Sequence, residues 1–326
     1  MRRIKFLFTL MLFSAAVGAN DTWWGDDNGS IQFLQQNDIS MAKERLLISV
    51  DRINVDYLFV NHGSQDITLP VAFPMPVITQ DSLIDGKAPG ISNFQLSVNG
   101  KPVATESRWK VMRTDEKGKS VEDITLKIKK AGWTTDRLID VLQSFNHQPK
   151  LPPQWFKNGK PLFTLQQYFV WQQVFPAGKE VVVHHAYTPS LSGGLPMTVD
   201  DFIPRADHLA DQPWSSDDKC LSDATLRQLR ALEKGAGKFS FAPMAGSIGW
   251  TRLGYILTTG ANWKDGTIGD FTLRIHKQQP GDILSLCFNH PLMQIDPLTL
   301  EFKQQNFKPE NDLSMTFYYA PEERSH

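Results

Sequence analysis

The densest cluster of residues that could carry chemistry runs from Thr258 to Asp270. Thr258-Thr259-Gly260 closes an expected strand, Ala261-Asn262-Trp263 follows, and a turn around Gly266 leads through Gly269-Asp270 into the next strand. Gly260 and Gly266 permit positive-φ turns, while the side chains of Asn262 and Asp270 can hydrogen-bond loop backbone. Two roles fit this arrangement. The polar groups brace a turn, or Trp263 is an exposed surface that stacks on a sugar or anchors a partner, with Asn262 and Asp270 orienting it. Asn262, Trp263 and Asp270 are the candidate binding residues, and no catalytic residue is assigned.

Other chemistry is sparse. There is no phosphate-binding loop, dinucleotide glycine fingerprint or paired-histidine helix motif, and Gly246-Ser247-Ile248-Gly249 is one residue short of a nucleophile elbow. His184 and His185 are neighbours on an expected strand, so they point to opposite faces and are poorly placed to share a metal; one should face the core and the other solvent. His62, His147, His208, His276 and His290 are scattered. Asp26-Asp27-Asn28-Gly29 lacks the ligand spacing of a calcium loop and reads as a turn. The expectation is no metal and no cofactor. A carboxylate pair for glycoside hydrolysis needs closeness in space only, so a periplasmic hydrolase of glycan or peptide stands as an alternative. Trp155, Trp214, Trp250 and Trp263 lie beside glycine, proline or polar residues, which also fits a carbohydrate-binding module using loop tryptophans; the competing role is core filling.

The start of the chain places this chemistry in a compartment. Arg2, Arg3 and Lys5 precede an apolar run from Phe6 to Val17, and Val17-Gly18-Ala19 supplies small residues for cleavage. This is the pattern of a secretory signal peptide, too short for a mature membrane span, with cleavage expected after Ala19 and no cysteine next to it to accept a lipid. The expected location is the periplasm, with the extracellular medium as the alternative. The formal charge is −1, and loss of the leader's three cations leaves −4, which argues against nucleic-acid binding. Cys220 and Cys287 are the only cysteines, and in an oxidising compartment they are expected to pair; two buried free thiols are the alternative.

The elements that must hold these residues read as mainly β. Ile53, Val55, Tyr57 and Phe59 alternate with more polar neighbours, a turn follows at Asn61-His62-Gly63-Ser64, and a second strand runs from Ile67 to Phe73 into Pro74-Met75-Pro76. Asn99-Gly100 between apolar runs is a hairpin signal. Ile124, Leu126 and Ile128 predict an alternating strand ending in Lys127-Ile128-Lys129-Lys130, a solvated edge or else an anion or membrane-surface patch. Thr134 or Thr135 can cap a short helix carrying Leu138, Val141, Leu142 and Phe145. Leu165 to Phe175 and Lys179 to Tyr187 suggest a hairpin-like pair about Pro176-Ala177-Gly178. Beyond Ser190-Leu191-Ser192-Gly193-Gly194-Leu195-Pro196, a helix capped by Ser222 or Asp223 is followed by strands around Phe239, Leu253–Leu257, Phe271–Ile275, Ile283–Cys287, Thr299–Phe302 and Leu313–Tyr319. The expected fold is all-β in the main, with one or two short inserted helices: a leader at 1–19, an N-terminal segment at 20–38, and two β-sandwich-like domains at 39–190 and 191–326.

Three blocks resemble a known family. Ile39-Ser40-Met41 through Leu46-Leu47-Ile48-Ser49, Ile53 to Asn61 and Val71-Ala72-Phe73-Pro74-Met75-Pro76 are similar to the opening of the bacterial exported-protein family known as Domain of Unknown Function 4424. Trp171 to Gly178 with His185-Ala186-Tyr187-Thr188-Pro189 resembles its middle, and Tyr255 to Trp263 with Ile268-Gly269-Asp270-Phe271 its most distinctive signature. The family often has glycine-rich sequence before its first strand, where Gly29-Ser30-Ile31-Gln32-Phe33 stands here. The resemblance implies an envelope location and brings no catalytic residues. The Phe-Pro-x-Pro arrangement also resembles the N-terminal sandwich of the vault and inter-alpha-trypsin-inhibitor type, a likeness of fold that carries no function. The resulting expectation is a non-catalytic binding or structural module of the envelope whose partner is an unknown envelope protein or glycan, with no membrane span in the mature chain.

Overall fold

A computed structural model describes residues 22–27, 30–33, 36–80, 91–143, 153–158, 160–204, 218, 220–235 and 246–321. The leader, His147, His208, Trp214 and the strand expected around Phe239 lie outside the described residues. The strands in chain order are β1 (Thr22–Asp27), β2 (Ser30–Phe33), β3 (Ile39–Ile48), β4 (Ile53–Asn61), β5 (Ile67–Pro74), β6 (Ser92–Val98), β7 (Lys101–Pro102), β8 (Glu106–Thr114), β9 (Ser120–Asp123), β10 (Phe156–Lys157) and β11 (Lys160–Pro161). They continue as β12 (Phe163–Phe175), β13 (Glu180–Thr188), β14 (Ser192–Gly193), β15 (Gly249–Tyr255), β16 (Ile268–His276), β17 (Ile283–Leu286), β18 (Met293–Gln294), β19 (Thr299–Phe307) and β20 (Leu313–Tyr319). The α-helices are α1 (Thr125–Lys130), α2 (Thr135–Gln143) and α3 (Asp223–Gly235). The fold is thus mainly β with few short helices, as the alternating patterns require.

Alternation decides which side chains enter the core. In β4, Ile53, Val55, Tyr57 and Phe59 are buried while Asp56 between them is exposed. Their partners line a single core shared by three sheets: eight strands in the order β18-β19-β16-β3-β4-β13-β6-β7, six in the order β2-β1-β5-β12-β8-β9, and four in the order β14-β15-β20-β17. The chain turns from the eight-stranded to the six-stranded sheet between β4 and β5, and back between β12 and β13. The pair about Pro176-Ala177-Gly178 is therefore an arch between sheets and not a hairpin. Asn61, fully buried, stitches both turns: its Nδ2 donates to the carbonyls of Gln65 and Phe175 at 2.9 and 2.8 Å, and its Oδ1 accepts from the Gly63 amide at 2.8 Å.

Two expectations need correction. The run from Ile124 to Lys130 is not a strand. Ile124 and Ile128 are buried four residues apart and Leu126 is 38% exposed, so the buried spacing is that of the helix α1, with Lys127, Lys129 and Lys130 in its last turn. The boundary near Ser190 does not separate two sandwiches, because β16 lies parallel to β3 with Ile268 opposite Met41 and Ile275 opposite Ile48. Strands from both segments thereby form one sheet. The Asn99-Gly100 turn is as expected, both residues having positive φ (48° and 75°), and Ser222 Oγ caps α3 by accepting from the Thr225 amide at 3.1 Å.

Candidate functional site

The distinctive loop between β15 and β16 is built to close the core. Asp312 Oδ1 accepts from the amides of Leu257 and Thr258 and from the Thr258 hydroxyl, at 3.0, 3.1 and 2.8 Å, fixing where the chain leaves β15. The Asn262 carbonyl accepts from the Gln36 amide at 2.8 Å. Gly269 has no room for a side chain, since a Cβ there would lie 2.6 Å from the Ala42 carbonyl oxygen. Trp263 is 1% exposed and packs on Phe59 and Phe175 with ring centroids 4.6 and 5.9 Å away. The exposed-indole role is thereby corrected: Trp263 is a core residue.

Asp270 leaves this group altogether and lies on the outer face of the eight-stranded sheet. Its carboxylate pairs with Arg45, whose guanidinium also donates to the Asp270 carbonyl at 2.8 Å, tying β16 to β3. The Arg45 hydrogen bond holds the Asp270 carboxyl below its usual range. A depressed carboxyl stabilises the fold above the ordinary carboxylate range, and that contribution disappears as pH falls through the folded value. Because the pair is partly exposed, Asp270→Asn should cost less than about 1 kcal/mol. Melting curves should show the gap between wild type and variant at neutral pH and its closure in acid; a gap that persists in acid would mean the pair is not its source.

Other histidines and tryptophans among the described residues also find structural partners. His185 is buried and stacks on Phe73 at 4.7 Å, while His184 on the opposite face binds Asp56 through Nδ1 at 2.7 Å, as adjacency on a strand requires. Trp155 is buried in the cluster under α1 and α2, and half-buried Trp250 donates from Nε1 to the Leu195 carbonyl at 3.2 Å. No group of three or more metal-binding side chains occurs among the described residues.

A concavity of about 960 Å³ lies where the end of β19, the loop after β17 and the segment before α3 meet. Cys220 and Cys287 are joined in a disulfide on its wall, fastening the segment before α3 to the loop after β17. Its aromatic side is half-buried Phe288 and His290, whose rings pack on Phe302 with centroids 5.0 and 4.9 Å away. The exposed amides Asn289, Asn306 and Asn311 also line it, with Lys308 and Glu310. Side-chain amides both donate and accept, and an adjacent ring offers a stacking face, a combination suited to a polar, neutral or zwitterionic ligand. A nucleophile is not set up there: Ser222 Oγ is engaged with Thr225 Oγ1 at 2.8 Å, and both cysteine sulfurs are bonded. Away from this cleft, the carboxyls of Asp270, Asp296, Glu122 and Glu301 are held below their usual range by cations or by hydrogen-bond donors.

Sequence patterns did not single out this cleft. Of its residues the two cysteines and the helix cap Ser222 carried a local signal, and the amides come from the loop after β17, the end of β19 and the loop between β19 and β20.

The family model described as "Domain of unknown function (DUF4424)" matches residues 19–315. Among curated proteins none matches the chain. Of solved structures, one from Legionella pneumophila subsp. pneumophila str. Philadelphia 1, described as a "putative nutrient binding protein", is similar with a TM-score of 0.45 and 16% identity, covering 92% of this chain and 70% of that one. An M1 zinc metallopeptidase from Deinococcus radiodurans is similar with a TM-score of 0.27 and 11% identity, over 87% of this chain and 43% of that one, so the chain spans less than half of its length. No helix among the described residues is long and apolar enough to cross a membrane.

Proposed function

The chain belongs to the family of the domain of unknown function DUF4424, and from that premise we propose that it is an exported protein of the bacterial envelope that binds a small polar ligand without transforming it. Export is supported by the basic start, apolar run and small residues before Asn20, and by a disulfide that suits an oxidising compartment. One observation carries the binding reading: the cleft of about 960 Å³ is lined by three exposed asparagines together with the half-buried rings of Phe288 and His290, on a wall fastened by a disulfide. Such a wall limits the ordering cost of binding. The ligand class is an amino acid, a short peptide or a simple sugar.

Calorimetric titration of the mature protein against free sugars, amino acids and short peptides tests this reading. At least one should bind saturably. The double variant Asn289→Ala/Asn311→Ala should weaken that binding about tenfold or more, while the melting temperature stays near wild type because both positions are exposed. An affinity unchanged in the double variant would place the ligand elsewhere and end the proposal.

A further inference from the structure

A second, smaller cleft of about 440 Å³ lies between β8 and the helical pair α1 and α2. Ser107, Trp109 and Val111 alternate onto one side of β8, and α1 is pinned beside them by the Val111 amide donating to Thr125 Oγ1 at 2.9 Å. Buried Val111 and Ile128 lie at its base. The indoles of Trp109 and Trp133 line it and are half-buried, each packed on the hydrophobic cluster behind and left partly open towards the cleft. Trp133 sits in the turn between α1 and α2, after Gly132 at φ 73°, with the Arg137 guanidinium 4.7 Å from its ring centroid.

The lining carries one excess cation. Its carboxylate, Glu106, is already held by Arg108 at 3.1 Å, and exposed Lys129 has no ion-pair partner among the described residues. Indole faces stack on sugar rings, and an uncommitted cation beside them favours a negatively charged one. We propose that this cleft is a binding site for an acidic oligosaccharide, with a sugar ring on Trp109 beside Trp133 and an acid group at Lys129. The site is separate from the disulfide-walled cleft and does not depend on it.

The test uses tetragalacturonic acid and, as its uncharged counterpart, cellotetraose, titrated into the mature protein with tryptophan fluorescence as the readout. Tetragalacturonic acid should quench saturably and bind more tightly than cellotetraose, with an affinity that falls as salt rises. Trp109→Ala should lower its affinity about tenfold or more. Lys129→Glu, a change at an exposed position that keeps the proposal testable if truncating the indole unfolds the protein, should weaken the acidic probe and leave the neutral one unchanged. Asn289→Ala/Asn311→Ala should bind it as wild type does, so failure here is distinguishable from failure at the other cleft. Absence of saturable binding, equal affinity for the two probes, or wild-type affinity in Lys129→Glu would each overturn the assignment.

Discussion

Trp263→Ala should destabilise the protein by about 3–5 kcal/mol, the cost of removing a buried large aromatic side chain and leaving a cavity. The indole is 1% exposed and lies against Phe59 of β4 and Phe175 of β12, so it joins the two large sheets at the end where Asn61 also stitches them. No smaller side chain reaches both rings. In a thermal melt the loss should appear as a fall on the order of ten degrees. Trp263→Phe, which keeps a ring in the site, should recover part of it. Ligand affinity of the folded variant at either cleft should stay near wild type. A variant with unchanged melting but impaired sugar binding would contradict the core assignment.

Reduction of the disulfide, or the variant Cys220→Ala/Cys287→Ala, should cost about 4 kcal/mol in the chain-entropy account, given the 67-residue separation of the two cysteines. The effect should extend beyond global stability. The bond ties the chain before α3 to the loop carrying Phe288 and His290, so its loss should raise hydrogen exchange in that loop and weaken binding at the adjoining cleft. Binding at the tryptophan-lined cleft, which shares no residue with it, should be unchanged. Coincident melting of oxidised and reduced protein would show that the bond contributes no stability.

Local periodicity made much of this fold legible. β4, β5, the Asn99-Gly100 turn and the helices α2 and α3 follow from alternation, turn chemistry or capping within a few residues. The misreadings share one cause, dependence on partners far away in the chain. Trp263 stands among polar residues and looks exposed, yet its burial is decided by rings about 90 and 200 residues earlier. Asp270 belongs to the same loop-to-strand block but lies on the face of β16 opposite buried Phe271, paired with Arg45. The α1 segment was ambiguous because Ile124, Leu126 and Ile128 fit a strand, whereas only the cover supplied by β8 reveals that Leu126 faces outwards. Trp109 and Trp133 carry no sequence mark that separates them from core tryptophans. They become a candidate site only when a strand and a helical turn bring them to one cleft.

The parallel pairing of β3 with β16 also sets the order in which the molecule can be made. Ile39–Ile48 leaves the ribosome early, but its neighbour Ile268–His276 follows more than 200 residues later. Until then β3 has one bare edge in what becomes the middle of the sheet, and closing so long a loop is slow. Folding therefore has to follow synthesis instead of accompanying it. A nascent chain held open in this way needs protection from aggregation meanwhile. A product truncated near residue 190 would not be a stable half-protein but a sheet with its centre exposed.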